Sequence, residues 1–183
     1  GLGDGDLDML DPARVPQRLE QRVAETEHEQ VLHRLLAEIM VDAEDLRFVE
    51  DRADYRQAIV DLLASQPGIA PAAAFESCEA LLKALPRDVP PEVVLMDIGL
   101  PGIDGIEGVR RVRAVAPSTQ VVMLTIHEDD DRIFDALCAG ASGYLLKTTP
   151  AAQILHALDE LGRGGAAMTP QIARRVLHLF SRL

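Results

Sequence analysis

Five residues of types that handle charge stand where apolar runs end. Glu50 and Asp51 follow Leu46-Arg47-Phe48-Val49, and Asp97 follows Val93-Val94-Leu95-Met96. Thr125 follows Val121-Val122-Met123-Leu124, and Lys147 follows Tyr144-Leu145-Leu146. Taken singly each has an ordinary explanation: an acid after a strand caps a turn or a helix, threonine is common in strands, and a strand-end lysine is solvated. Taken together they make a set with one chemistry. Three carboxylates converging on one pocket repel each other and stay ionised only beside a cation. Oxygen donors with room for water suit Mg²⁺. A carboxylate held beside such an ion can attack a phosphoryl group in line, while a hydroxyl and an ammonium stabilise charge on the equatorial oxygens. An acyl phosphate would then add roughly two negative charges and three acceptor oxygens, enough to reorder nearby loops.

These groups meet only if the runs before them lie side by side. The pattern from Leu46 onward alternates strands with helices. Tyr55, Ile59, Leu62 and Leu63 mark one helical face, stopped by Pro67-Gly68, and Ile69 to Phe75 forms a second strand. Cys78, Leu81, Leu82 and Leu85 mark the next helix, and further helices fall at about 105–115, 129–139 and 151–162. Val93 to Met96 shows no polar alternation, as a strand covered on both faces requires. Five strands alternating with five helices imply right-handed crossovers and an α/β, doubly wound parallel sheet. Such sheets bind ligands at the carboxyl ends of their strands, where the five residues stand.

Composition divides the chain into three. Residues 1–45 carry a net charge of −8, residues 46–162 carry −8, and residues 163–183 carry +4, within a total of −12. The first segment is expected to be a flexible end followed by a helix over about 15–40, able to pack on the domain or to make a dimer contact. The second is the main domain and the third a linker helix, capped by Thr169 with Pro170 at its first position and Ile172, Val176, Leu179 and Phe180 on its apolar face. The acidic total argues against direct nucleic-acid binding by this chain. No apolar run approaches a membrane span, and two cysteines, Cys78 and Cys138, form no disulfide framework; both are expected in the core, in a reducing cytoplasm.

Residues 46–162 resemble a response-regulator receiver domain. The resemblance is carried by Leu95-Met96-Asp97-Ile98-Gly99-Leu100-Pro101-Gly102-Ile103-Asp104-Gly105, by Glu50 and Asp51, and by Thr125 and Lys147. It implies a flavodoxin-like, five-stranded sheet of strand order 2-1-3-4-5, and that Asp97 accepts a phosphoryl group from a sensor histidine kinase. It also implies that Glu50, Asp51, Asp97 and the Gly99 backbone carbonyl hold Mg²⁺, and that Thr125 and Tyr144 form the switch. Thr125 would move toward the phosphoryl group and Tyr144 would turn inward behind it. The segments Leu124-Thr125-Ile126-His127-Glu128-Asp129 and Ala139 to Lys147, with the tail Gly164 to Val176, are similar to LuxR/NarL-type regulators. In those the tail leads to a helix-turn-helix output domain that binds DNA, so transcriptional control is the implied role of a longer parent. The alternative is a stand-alone receiver acting as an interaction module.

The resemblance further implies dimerisation through the face of the fourth helix, fifth strand and fifth helix, with the N-terminal helix as the other candidate. Two departures stand out: Glu50 replaces the commoner aspartate, and Thr148-Thr149 separate Lys147 from Pro150, so a cis bond after Lys147 is not assumed. A haloacid-dehalogenase-like phosphatase would need an aspartate where Gly99 stands. His28, His33 and His156 read as solvated helix residues, and His127 should lie at the rim of the pocket.

Overall fold

Val93, Val94, Leu95 and Met96 can all be apolar only in a strand with both faces covered, and all four are buried. The computed structural model describes residues 46–65, 73–87 and 89–181. The helix expected over residues 15–40, the Pro67-Gly68 stop and the first part of the second strand lie outside them. In chain order the described elements are β1 (Leu46–Val49), α1 (Ala53–Ala64), β2 (Ala73–Phe75), α2 (Cys78–Ala84) with a 3₁₀ turn at Leu85–Arg87, and β3 (Val93–Met96). There follow α3 (Gly105–Val115), β4 (Gln120–Thr125), α4 (Asp130–Cys138), β5 (Gly143–Leu146), α5 (Ala151–Gly162), β6 (Ala167–Met168) and α6 (Pro170–Phe180).

The strands form one parallel sheet of order β2-β1-β3-β4-β5-β6. The chain winds from β1 outward to β2, then crosses to β3 and proceeds the other way, so β1 and β3 flank the switch point. Two apolar layers hold it. Phe48, Leu95, Leu124 and Leu145 pack against α1 and α5 through Ile59, Leu63, Ile154, Leu158 and Leu161. Val94, Met96, Met123 and Tyr144 pack on the opposite face against α2, α3, α4 and α6 through Leu81, Val109, Ile133 and Ile172. Each fully buried aliphatic side chain is worth about 2 kcal/mol relative to exposure, so these layers fix which strand ends lie together.

The sheet has a sixth strand that the sequence pattern did not announce. β6 is two residues long and pairs Gly143 with Ala167 and Tyr144 with Met168. Gly143 is what admits it: a Cβ there would lie 2.5 Å from the Ala167 carbonyl oxygen. The tail expected as a linker helix therefore continues the fold. Thr169 caps α6 by accepting from the Ile172 amide, with Pro170 in the first turn. Ile172 is fully buried, Phe180 meets Phe134 of α4 at 6.4 Å between ring centroids, and Arg175 pairs with Asp130 at 2.8 Å. β6 pairs with the outer edge of β5, within the face of fourth helix, fifth strand and fifth helix expected for a dimer, and α6 lies beside α4. Cys78 is buried beside Met96, its thiol pushed up to about 12 by desolvation, whereas Cys138, expected in the core, is exposed.

Candidate functional site

Register brings the carboxyl ends together. Val49 pairs with Met96 and Met96 with Met123, and the Asp97 amide donates to the Val49 carbonyl at 3.1 Å. Glu50 and Asp97 therefore leave adjacent strands side by side. Thr125 pairs with Leu146, and the Lys147 amide donates to the Thr125 carbonyl at 2.8 Å, which turns the lysine back over the same end of the sheet.

All five chemistry-bearing residues named from the sequence meet there. Carboxylate oxygens of Glu50, Asp51 and Asp97 lie within 4.8 Å of one another. Glu50 is fully buried, Asp97 nearly so, and Asp51 faces solvent. Lys147 Nζ donates to Asp97 Oδ2 at 3.0 Å and sits 2.5 Å from Glu50 Oε2. The second contact is ionic without the angle of a hydrogen bond, so Oε2 has no hydrogen-bond donor, and Asp97 Oδ1 is buried with none either. Glu50 Oε1 accepts from the Arg52 amide at 3.1 Å. Burial nevertheless dominates: desolvation raises the Glu50 pKa despite Lys147 and that amide.

Glu50 Oε2 is met by the Lys147 ammonium, but Asp97 Oδ1 is a buried acceptor with no donor, which is costly unless something electropositive meets it. Acids supply only acceptors here, and hard oxygens with one open, solvent-facing member are a donor set that Mg²⁺ fits. The loop after β3 is fixed by the start of α3. Gly105 donates its amide to the Ile98 carbonyl at 2.9 Å, and a Cβ on it would run into the Asp97 carbonyl. Asp104 serves as the N-cap of α3, accepting from the Glu107 amide at 2.9 Å.

Thr125 is fully buried, its hydroxyl accepting from the His127 amide at 3.3 Å. Tyr144 is also fully buried, and its hydroxyl donates to the His127 carbonyl at 2.8 Å; burial holds its phenol above the ordinary range. The structure thus holds Tyr144 in the inward position, tied to the loop that follows Thr125. A side chain on Gly99 would meet Asp97 Oδ2 and His127 Nε2 at 3.7 and 3.8 Å, which puts His127 at the rim. The described residues contain no cis peptide bond.

Two residues at this end escaped the sequence reading. Arg56 donates to the backbone carbonyls of Glu50 and Asp51, the latter at 3.1 Å, and so pins the acidic loop. Tyr55, read only as part of an apolar face, lies under Lys147, with Nζ 4.8 Å from its ring centroid. The available signal was position: the first turn of the helix after β1 must border whatever lies at the β1 carboxyl end.

Among the described residues no helix is long and apolar enough to cross a membrane. The family model for the response regulator receiver domain matches residues 47–159. The chain is 30% identical to the transcriptional regulatory protein DegU of Brevibacillus brevis, over 74% of this chain and 57% of that protein. It is 31% identical to LiaR of Bacillus subtilis (strain 168), over 70% of this chain and 61% of that one. It spans a little over half the length of these relatives. Among solved structures, a LuxR-family two-component response regulator from Aurantimonas sp. SI85-9A1 superimposes with a TM-score of 0.69 at 28% identity, covering 74% of this chain and 96% of that one. The receiver domain of NarL from Mycobacterium tuberculosis does so with a TM-score of 0.60 at 25% identity, covering 65% and 95%. A match of this extent, on a sheet whose strand ends gather the acids, the hydroxyl and the lysine, means that the chain belongs to the response regulator receiver domain family of two-component systems, among relatives of the LuxR/NarL type.

Proposed function

We propose that Asp97 accepts a phosphoryl group from the phosphohistidine of a sensor kinase, in a reaction that requires Mg²⁺. The observation that carries this reading is the division of labour on the Asp97 carboxylate. Oδ2 is held by Lys147 at 3.0 Å, while Oδ1 is buried with no donor of its own, on a carboxylate grouped with those of Glu50 and Asp51. One oxygen is anchored and the other is left with its lone pairs free, which is what an in-line nucleophile needs.

In the forward step a carboxylate oxygen of Asp97 bonds to phosphorus as the P–N bond of the phosphohistidine breaks, and the electron pair leaves with the imidazole. Hydrolysis reverses the modification: water attacks phosphorus, inorganic phosphate leaves, and the carboxylate is restored. Lys147 orients the acceptor and neutralises charge beside it, and the Thr125 hydroxyl is the donor for an equatorial oxygen once it turns from the His127 amide. Glu50, Asp51, Asp97 and the Gly99 carbonyl would hold Mg²⁺, which when bound supplies positive charge to the transferring phosphoryl oxygens. The protein is then a self-catalysing phosphoryl acceptor and not a turnover enzyme.

The switch would run through His127, whose amide meets Thr125 and whose carbonyl meets Tyr144. Residues 46–162 form the receiver, with 1–45 as a preceding segment and 163–183 as the element through which the state is passed on. Names of relatives such as transcriptional regulatory protein DegU support transcriptional control, with DNA contacted through an output domain of a longer parent. Incubating the chain with acetyl phosphate and Mg²⁺ tests the core of this reading. One phosphoryl mass should appear on intact protein, vanish when EDTA replaces Mg²⁺, and be absent in a folded Asp97→Asn variant.

A further inference from the structure

The lysine of this pocket has a third contact that its role as a counter-ion does not require. Its ammonium meets Asp97 on one side and Glu50 on another, and below it lies the face of Tyr55, 4.8 Å from Nζ to the ring centroid. A cation at that distance over an aromatic face is attracted by the ring quadrupole, the more so when desolvated. Lys147 is desolvated: its side chain is 9% exposed.

Tyr55 is itself fixed. It stands in the first turn of α1, four positions after Asp51, and its ring packs on that of Phe48 at 6.4 Å and 57°. Phe48 is fully buried in β1, so the platform under the lysine is anchored in the sheet. The Tyr55 hydroxyl plays no part in this arrangement, being buried without a hydrogen-bond partner among the described residues.

Building on the reading of Asp97 as phosphoacceptor, we propose that Tyr55 is a positioning residue, whose ring face holds the Lys147 ammonium over Asp97. The physical need follows from the lysine's character. Four rotatable carbons give the ammonium wide freedom, and two carboxylates alone confine it only along the line between them. Both partners also change in the reaction. Asp97 loses its charge at the modified oxygen on becoming an acyl phosphate, and Glu50 belongs to the donor set proposed for Mg²⁺. The ring is the one of the three contacts whose attraction stays constant, so it keeps the ammonium in place before and after transfer.

The test compares the full chain with its Tyr55→Phe and Tyr55→Leu variants. Acetyl phosphate at saturating Mg²⁺ is the phosphodonor, calorimetric Mg²⁺ titration reads the metal site, and NMR of the Lys147 ε-methylene reads position. The expected result is that Tyr55→Phe phosphorylates at the wild-type rate, while Tyr55→Leu is slower on the order of tenfold with Mg²⁺ affinity unchanged. The ε-methylene protons should be shifted upfield by the ring current in wild type and Tyr55→Phe, and should return toward the ordinary lysine position in Tyr55→Leu. A Tyr55→Leu variant as fast as wild type would overturn the proposal, as would a Tyr55→Phe variant as slow as the leucine, since the hydroxyl would then be the active group. If wild type takes no phosphoryl group at all, the reading of Asp97 fails. The ring-current shift still decides on Tyr55: its presence in wild type upholds the placement and its absence refutes it.

Discussion

Around Asp97 the chain buries charge, whereas along β6 and α6 it buries almost none. At the first place Glu50, Asp97 and Lys147 are sunk among apolar layers, with two carboxylate oxygens lacking hydrogen-bond donors. At the second, contact is made by Ile172, by the Phe180 ring tilted against Phe134, and by the part-exposed pair of Arg175 with Asp130. Burying charge costs stability and needs exact partners, so the pocket is sensitive to single changes. The α6 contact rests on modest apolar area and a solvent-screened ion pair, and a change there should be local. The difference separates a pocket that holds charge at a cost from an edge where an element is docked by modest contacts.

The largest effect should come from removing the Lys147 ammonium. In Lys147→Met, Glu50 and Asp97 are left as buried carboxylates facing each other, and breaking such a pair costs roughly 3–5 kcal/mol. Chemical denaturation in EDTA should show that loss, and saturating Mg²⁺ should return part of it. Next comes Gly105→Ala, whose Cβ would collide with the Asp97 backbone carbonyl, a group that cannot rotate away. Overpacking of this kind should cost about 3 kcal/mol by the same measurement and displace the acceptor loop.

Neutralising Glu50 should move stability the other way. Its folded pKa is raised above the ordinary 4.5, chiefly by burial, so the folded state binds that proton more tightly than the unfolded chain does. The stabilisation from protonated Glu50 is fully present below about 4.5 and is lost as pH rises through the folded value. Glu50→Gln resembles the protonated form at every pH. Its stability without metal should match wild type in acid and exceed it increasingly above pH 4.5, while Mg²⁺ affinity falls sharply. A variant less stable than wild type at neutral pH in EDTA would contradict the burial argument. The smallest effect belongs to the far edge. Gly143→Ala should push β6 away from β5 at a cost of about 1 kcal/mol. Hydrogen exchange should rise in residues 166–180 while Asp97 is still phosphorylated, and a loss of phosphorylation would show the two regions to be coupled.

The same contrast explains what was legible in the sequence. The pocket was readable because acids, a threonine and a lysine directly after apolar runs are chemically conspicuous, and because Val93 to Met96 has no other use than a covered strand. Parallel register then does the assembly without further signal. β6 was not readable: Ala167-Met168 has no periodicity, and its only trace is Gly143, a residue on another strand. Tyr55 was hidden for a different reason, since its spacing with Ile59 fits an apolar face equally well and periodicity says nothing of a ring's second neighbour. Cys138 misled because one helical face can be apolar and still run out into solvent at its last turn.

The central claim is that one carboxylate, Asp97, carries the phosphoryl group. Acyl phosphates are reduced by borohydride to the alcohol, so phosphorylation with acetyl phosphate and Mg²⁺ followed by borohydride should convert the modified aspartate to homoserine. Peptide mass mapping should find homoserine at position 97 and at no other aspartate, and none in a sample without Mg²⁺. Reduction at Asp51, a Glu50-derived alcohol, or phosphoryl mass with position 97 unreduced would contradict the assignment.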